Sequence, residues 1–437
     1  MTSLPRRSSW SASSWYRPLN GYVSSGTVLF VAACALLGSG CRPGRAASAE
    51  QTTSKSALMD FAPPRHPGVL FWPTPTNRVD PRFVQFGKSP DCGCASTKRL
   101  GISVLLPRGY DGRRRFPVLY LLHGAGEAHD TFLTHPTPRN GELGGDIRRL
   151  ARSYPAIIVM LEGSAFGWYS NWWNGGRLGA PAWESYHLDE VLPLVERRLR
   201  VRPGRRWHAI AGWSMGGMGA LFYASQRPDY FGAAESLSGR ISIRLHSFQR
   251  SLARDDPRRT YIWGDPLRQN FYWAGHDPTA LVPNLRATRV YVRVGDGRGA
   301  GAARDSPEAQ TEQGLLREAR SFTAVARRAG VPATMQVVKG IHNGLNERGG
   351  LADALSRLSF GPVPPSPTTW TYRTVARRGE AWGVRFRFPR QPHRLVTIRR
   401  RAGRLLVDGS GFAELGLPGR PPVTVRLPLS EPLFEPR

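Results

Sequence analysis

Residues 212–216 read Gly-Trp-Ser-Met-Gly. They sit between a strand-like run, Trp207-His208-Ala209-Ile210-Ala211, and a helix-like run, Met218-Gly219-Ala220-Leu221-Phe222-Tyr223-Ala224. A serine between glycines at a strand-to-helix junction demands a sharp turn. The backbone passes itself closely there, and glycine lacks the Cβ that would clash. The turn lifts Ser214 Oγ to the end of a strand and places it at a helix N-terminus, where developing negative charge is favoured. A chain with this feature must feed a strand directly into a helix, and the surrounding sequence repeats that alternation.

Strands are expected at Gly101–Leu106, Phe116–Leu122, Ala156–Leu161, Trp207–Ala211, Ala233–Ser238, Arg289–Val294 and Thr334–Lys339. Several are continuous apolar runs, as strands buried on both faces require. Amphipathic helices are expected at Trp183–Leu199, after the glycine-flanked serine, and at Gln313–Ala329, where Leu315, Leu316, Ala319, Phe322 and Val325 recur at helical spacing. Alternating β and α elements predict an α/β fold with a mostly parallel, doubly wound sheet over residues 83–360. The Pro-rich stretch Gly361–Pro367 reads as a semi-rigid linker. Beyond it, short alternating runs between Gly and Pro turns predict a small all-β module at 368–437, whose expected role is packing against the larger domain ahead of independent carbohydrate binding.

The N-terminal segment, 1–44, reads as an export leader. Arg6, Arg7 and Arg17 precede an apolar run from Val28 to Leu37, which is short for a membrane span. Cys41 after small residues resembles a lipoprotein attachment site, although Gly38 stands where such sites prefer a large aliphatic residue. The expectation is an exported, cell-envelope-associated protein, with membrane attachment through a lipidated Cys41 or release after cleavage. Residues 45–82, rich in Ser, Ala, Pro and Thr, read as a linker or N-terminal arm. The formal charge is +29, but only four of the 61 basic residues are lysine and the arginines are scattered. No dense basic stripe with interleaved aromatics marks a nucleic-acid surface, so none is expected as partner. Cys92 and Cys94, with one residue between them, are close for an unstrained disulfide and lack the His/Cys company of a zinc site. No metal or cofactor is expected.

A serine hydroxyl becomes a nucleophile only with a base, an acid to orient that base, and donors for an oxyanion. In α/β-hydrolases the chain order is Ser, then Asp or Glu, then His. His342 follows the last expected strand at once, where a base must lie to reach Ser214. Two carboxylates compete for the third place. Asp296 follows the strand Arg289–Val294 directly, and also reads as a turn residue in Gly295-Asp296-Gly297; Glu312 follows a Gly/Ala-rich excursion, Gly297–Ala303, and opens the helix leading to the final strand. The oxyanion donors fall at the Met215 N–H, next to the serine, and at the Ala125 N–H in His123-Gly124-Ala125-Gly126, with His123 itself structural. The segment Phe166–Trp173 is the densest aromatic cluster, read as loop packing ahead of a pocket lining.

The ordered set resembles the secreted esterase D-type α/β-hydrolases, and within them the mycobacterial mycolyltransferases of the fibronectin-binding antigen complex. It comprises Tyr120-Leu121-Leu122-His123-Gly124, Trp168-Tyr169-Ser170-Asn171-Trp172, Trp183-Glu184, Glu190-Val191-Leu192-Pro193, Gly212–Gly217, Asp277-Pro278-Thr279 and Gly340-Ile341-His342. The likeness spans roughly residues 83–355 and implies Ser214 as nucleophile, His342 as base, Glu312 as acid, and Met215 and Ala125 as oxyanion donors. It implies a small-molecule ester or acyl donor as substrate. Two departures bear on the acceptor: Gly126 replaces the arginine those enzymes use with trehalose, and Asn343-Gly344-Leu345-Asn346 replaces the Trp and Tyr that follow their histidine. The leading expectation is a serine esterase working through an acyl-enzyme. The alternatives are acyl transfer to an envelope sugar or glycolipid, and a non-catalytic envelope-binding protein on the same fold.

Overall fold

The computed structural model describes residues 69–73, 101–134, 147–179, 181–245, 248–249, 260–299, 303–358 and 360–429. The leader with Cys41, and the Cys92 and Cys94 pair, lie outside the described residues.

Eight strands form the main sheet: β1 (Val69–Pro73), β2 (Gly101–Leu105), β3 (Val118–Leu122), β4 (Ile157–Leu161), β5 (His208–Trp213), β6 (Ala233–Leu237), β7 (Arg289–Gly295) and β8 (Ala333–Val338). Their spatial order is β1-β2-β4-β3-β5-β6-β7-β8. The pairs β1–β2 and β2–β4 are antiparallel, and every later pair is parallel. This is the α/β-hydrolase sheet.

Side-chain alternation along β3 explains why the sheet needs cover on both faces. Val118, Tyr120 and Leu122 enter one apolar cluster with Phe222 and Tyr223, while Leu119 and Leu121 enter another with Phe132 and Leu351. Each fully buried side chain of this size stabilises the fold by about 1.5–3 kcal/mol. Helix α1 (Met215–Gln226), which follows the serine, is buried along its whole length. It therefore has no polar face to show. Helix α2 (Pro307–Arg328) starts six residues before the expected Gln313. Ser306 caps it by accepting from Ala309 N–H, and Pro307 occupies the first turn. Glu312 thus lies in the second turn of α2 rather than at its opening. Helix α3 (Gly344–Arg357) follows His342, capped by the Asn343 side chain.

Two expectations are corrected. The arm at 45–82 contains an edge strand, β1, because the β-prone run Val69-Leu70-Phe71-Trp72 is diluted by Pro- and Thr-rich flanks in any compositional average. The helix expected over 183–199 is composite: Trp183–Ser185, a π-helical Tyr186–Val191, then Leu192–Arg198. Hydrophobic periodicity continues through all three pieces, so sequence pattern does not reveal the wider turn.

The C-terminal residues form a second, antiparallel sheet from β9 (Trp370–Thr374), β10 (Arg378–Ala381), β11 (Val384–Arg387), β12 (Val396–Arg401), β13 (Arg404–Gly416) and β14 (Val423–Leu429). Its order is β10-β11-β13-β12-β9, with β14 on β13, around a core of its own that includes Trp370, Tyr372, Phe386 and Ile398. The sheet is fastened to the larger domain by specific polar contacts. Asn284 and the Arg373 backbone exchange two hydrogen bonds, of 2.7 and 2.9 Å, and Tyr372 Oη donates to Gln226 O at 3.1 Å.

Candidate active site

Strand β5 ends at Trp213, and Ser214 follows with φ 53° and ψ −111°. Such a conformation at a non-glycine residue costs about 1–3 kcal/mol and persists only where the surroundings over-determine it. Here Ser214 N–H donates to Leu237 O at 2.9 Å, while its own carbonyl accepts from Gly217 N–H at 3.0 Å. The close passage inferred for the two glycines is real. A Cβ on Gly212 would lie 2.2 Å from Gly216 O, and one on Gly216 would lie 2.1 Å from Leu122 O. Ser214 occupies the N-cap of α1, yet its side chain makes no capping bond. A serine there normally turns back onto the helix. Its Oγ instead lies 2.9 Å from His342 Nε2.

The other imidazole nitrogen, His342 Nδ1, lies 2.8 Å from Glu312 Oε2. Glu312 is fully buried and the His342 side chain is 18% exposed, so the pair is sheltered at the carboxylate and reachable at the ring. The Trp213 ring stacks on the imidazole with centroids 4.7 Å apart and planes 14° apart. Glu312 keeps its second oxygen in a cage of donors. Oε1 accepts from Ser238 Oγ at 2.5 Å, Gly295 N–H at 2.5 Å and Asn346 Nδ2 at 3.1 Å. Burial pushes this carboxyl upward, but the His342 hydrogen bond and charge, with the Ser238 and Gly295 donors, outweigh it. They hold Glu312 below the ordinary carboxylate value.

Asn346 is itself oriented from behind. Its Oδ1 accepts from Arg293 Nη1 at 2.6 Å, and Arg293 Nε donates to Asp353 at 2.7 Å. A chain of contacts therefore runs from Asp353 through Arg293, Asn346 and Glu312 to His342 and Ser214. Asp296 lies elsewhere: its Oδ1 accepts from Gly340 N–H at 3.2 Å and Arg298 N–H at 2.9 Å, tying the end of β7 to the loop after β8. The structure brings together Ser214, His342 and Glu312, and gives Asp296 the turn role. Sequence reasoning missed Ser238, Asn346 and Arg293. Only Ser238 leaves a signal, as a hydroxyl directly past β6 at the carboxyl edge of the sheet.

Met215 N–H is the first backbone donor of α1, where a helix has no intrahelical acceptor to offer it. Ala125 lies in the loop past β3, at the same sheet edge. Gly124 N–H donates to Glu127 Oε2 at 2.7 Å and Gly126 N–H to Ala165 O at 2.8 Å, which fixes the loop on both sides of Ala125. Gly126 takes φ 82°, a value a side chain would strain. His123 is buried beside this loop. Its Nδ1 lies 2.8 Å from Gly124 O and its Nε2 accepts from Gly163 N–H at 2.9 Å, a bonding pattern that places the proton on Nδ1. The aromatic segment packs inward: Trp168 meets Phe248 and Trp263, and Tyr169 Oη donates to His123 O at 3.0 Å.

A buried carboxylate, an imidazole and a serine hydroxyl that bonds the imidazole rather than the helix can together move one proton from the serine and return it to a leaving group. Among the described residues no cluster of His, Cys, Asp and Glu is arranged to hold a metal ion.

Proteins to which this chain is similar carry esterase and acyltransferase names. The Esterase family model matches residues 95–356. Esterase Rv1288 of Mycobacterium tuberculosis is 33% identical over 249 residues, covering 55% of this chain and 52% of the relative. The diacylglycerol acyltransferase/mycolyltransferase Ag85A of Mycobacterium leprae is 28% identical over 225 residues, covering 47% of this chain and 63% of the relative. The chain thus spans about half the length of the first of these relatives and somewhat more of the second. Among solved structures, Mycobacterium tuberculosis MPT51 aligns with a TM-score of 0.46 at 20% identity, covering 60% of this chain and 92% of that one.

Proposed function

This chain belongs to the Esterase family, and on that premise we propose that it is an exported serine esterase hydrolysing carboxylic esters through an acyl-enzyme. The observation that carries the reading is the continuous contact Ser214 Oγ–His342 Nε2–His342 Nδ1–Glu312 Oε2, at 2.9 and 2.8 Å. In the proposed reaction Ser214 Oγ attacks the ester carbonyl carbon as His342 Nε2 takes the hydroxyl proton. Glu312 keeps the other imidazole proton on Nδ1 and stabilises the imidazolium that forms. The carbonyl oxygen becomes an oxyanion received by the Met215 and Ala125 N–H groups, each such donor contributing about 2.7–4 kcal/mol to the transition state. The tetrahedral intermediate collapses, the C–O bond to the alcohol breaks, and His342 returns its proton to the leaving oxygen. Water, deprotonated by His342, then releases the acid and restores Ser214.

The Ser214→Ala variant tests this. It is expected to lose turnover of short p-nitrophenyl esters while keeping its circular dichroism and melting transition; unchanged turnover would refute the assignment.

A second reading keeps the acyl-enzyme and changes the acceptor to an envelope sugar. It is favoured by the similarity to a protein named diacylglycerol acyltransferase/mycolyltransferase. Water and a sugar hydroxyl compete for the same acyl-enzyme. Products from a labelled acyl donor, with and without trehalose, separate the two readings.

A further inference from the structure

A cleft of about 550 Å³ lies between the larger domain and the C-terminal sheet, and none of its lining residues belongs to the Ser214 constellation. Its volume is in the range of small-molecule sites, which favour interfaces between domains. One wall comes from the composite helix over 183–198, through Glu184, Ser185, Leu188 and Asp189. Leu188 and Asp189 sit in its π-helical turn, a conformation that recurs at functional sites. The opposite wall comes from the C-terminal sheet, through Arg377, Arg378, Arg387 and Gln391. The two walls are pinned in place. Besides the Asn284–Arg373 and Tyr372–Gln226 bonds, Arg378 reaches across to Asp189 at 2.8 Å. The cleft is therefore preformed, and a ligand would not have to order it.

The polar groups facing this space differ between the walls. Glu184, buried and 3.6 Å from His276 Nε2, offers acceptors only. Gln226 also lines the cleft, and its buried Nε2 has no acceptor among the described residues. On the other wall Arg377 donates from Nε to Phe388 O at 3.3 Å, and among the described residues no carboxylate pairs with it. That bond orients the guanidinium and leaves its terminal nitrogens for a ligand anion, which a planar fork accepts in two parallel hydrogen bonds. Arg387 adds charge nearby, its contact with Glu414 being long at 3.5 Å and exposed on both sides. The lining also includes Tyr272, Tyr372, Leu178, Leu188 and Val375, of which all but Leu178 are buried. Hydroxyl donors for Glu184, a carboxylate for Arg377 and C–H faces for the aromatic and aliphatic lining are found together in one ligand class.

We propose that this cleft binds a short acidic oligosaccharide, its uronate carboxylate on Arg377 and its hydroxyls toward Glu184 and Gln226. The site holds a glycan beside the catalytic domain and takes no part in the ester chemistry.

Titration calorimetry on the full chain at physiological salt tests this with trigalacturonate and, as the neutral counterpart, cellotriose. Trigalacturonate should bind with one-to-one stoichiometry and cellotriose at least about tenfold more weakly, the difference that one charge-assisted pair supports. Arg377→Gln should weaken trigalacturonate by about tenfold and leave cellotriose nearly unchanged. Because Arg377 also bonds Phe388 within the sheet, a second variant is needed. Ala376→Trp fills the cleft from the same wall, removes no side-chain hydrogen bond, and should abolish binding of both sugars. Absence of trigalacturonate binding overturns the proposal. So does binding that neither variant changes, which would mark attraction to the chain's net charge of +29 or occupation of another site. Equal affinity for the two sugars overturns the assignment of an acidic ligand.

Discussion

Exchanging the Glu312 carboxylate for an amide is the sharpest perturbation the site allows. Oε1 of Glu312 receives three donors, from Ser238, Gly295 and Asn346, and Oε2 faces His342 Nδ1. In Glu312→Gln the amide oxygen must take the position of Oε1, because an NH₂ group there would confront three donors. The amide nitrogen then points at His342 Nδ1. That nitrogen can accept only by giving up its proton, so the ring carries its hydrogen on Nε2, facing Ser214. An imidazole in this tautomer cannot take the serine proton. The equivalent acid-to-amide exchange in a Ser-His-Asp protease lowers kcat by about 10⁴, or roughly 5.5 kcal/mol. A loss of about that size is expected in kcat/KM for a p-nitrophenyl ester at neutral pH, with little change in melting temperature. Asp296→Asn is the control: its Oδ1 contacts to Gly340 and Arg298 N–H survive in the amide, so activity should stay within about threefold. Glu312→Gln within tenfold of wild type, or Asp296→Asn falling with it, would refute the reasoning.

Ser238→Ala removes one charge-assisted donor from Glu312 and leaves two. The expected loss in kcat/KM is about three- to tenfold, at or below the low end for such a bond. Because Ser238 helps hold Glu312 below its ordinary value, the Glu312 carboxyl should titrate at higher pH in the variant, read by carbon NMR of the labelled side chain; an unmoved carboxyl titration would mean that Ser238 does not hold this charge. Glu235, buried in β6 with neither carboxyl oxygen bonded among the described residues, is pushed up by burial to about 7. Its native form stays protonated where the unfolded chain is already ionised. The penalty is therefore absent below the unfolded value of 4.5, grows as pH rises, and is complete above about 7. Glu235→Met should raise the melting temperature in mildly alkaline buffer, by on the order of 3 kcal/mol in stability, and lose that advantage in acid. An advantage that grows toward low pH would contradict the sign.

The parts of this molecule that were legible in the sequence are those set by local rules. The turn at Ser214 announces itself because only glycine fits where Cβ atoms would lie 2.1–2.2 Å from backbone. The buried parallel strands are apolar on both faces, so their runs are continuous. His342 is found because it follows the last strand at once. Glu312 was not separable from Asp296 on local grounds, since both lie between strand and histidine; the three-dimensional path of α2 puts only one of them on the imidazole. Ser238 and Asn346, 74 and 34 residues from Glu312, are partners by tertiary position alone. The edge strand β1 and the π-helical turn were hidden for different reasons, the first by its flanks and the second by a periodicity that a wider turn does not break. The cleft between the two sheets depends on how the C-terminal residues dock, which no local pattern encodes.

The central claim is that Ser214 is a nucleophile activated by His342. The most direct measurement is mass spectrometry of the protein after treatment with a fluorophosphonate. A single adduct on the peptide carrying Ser214, lost in Ser214→Ala and strongly slowed in His342→Ala, is the predicted result. No adduct on the folded protein, or an adduct formed equally fast without His342, would contradict it.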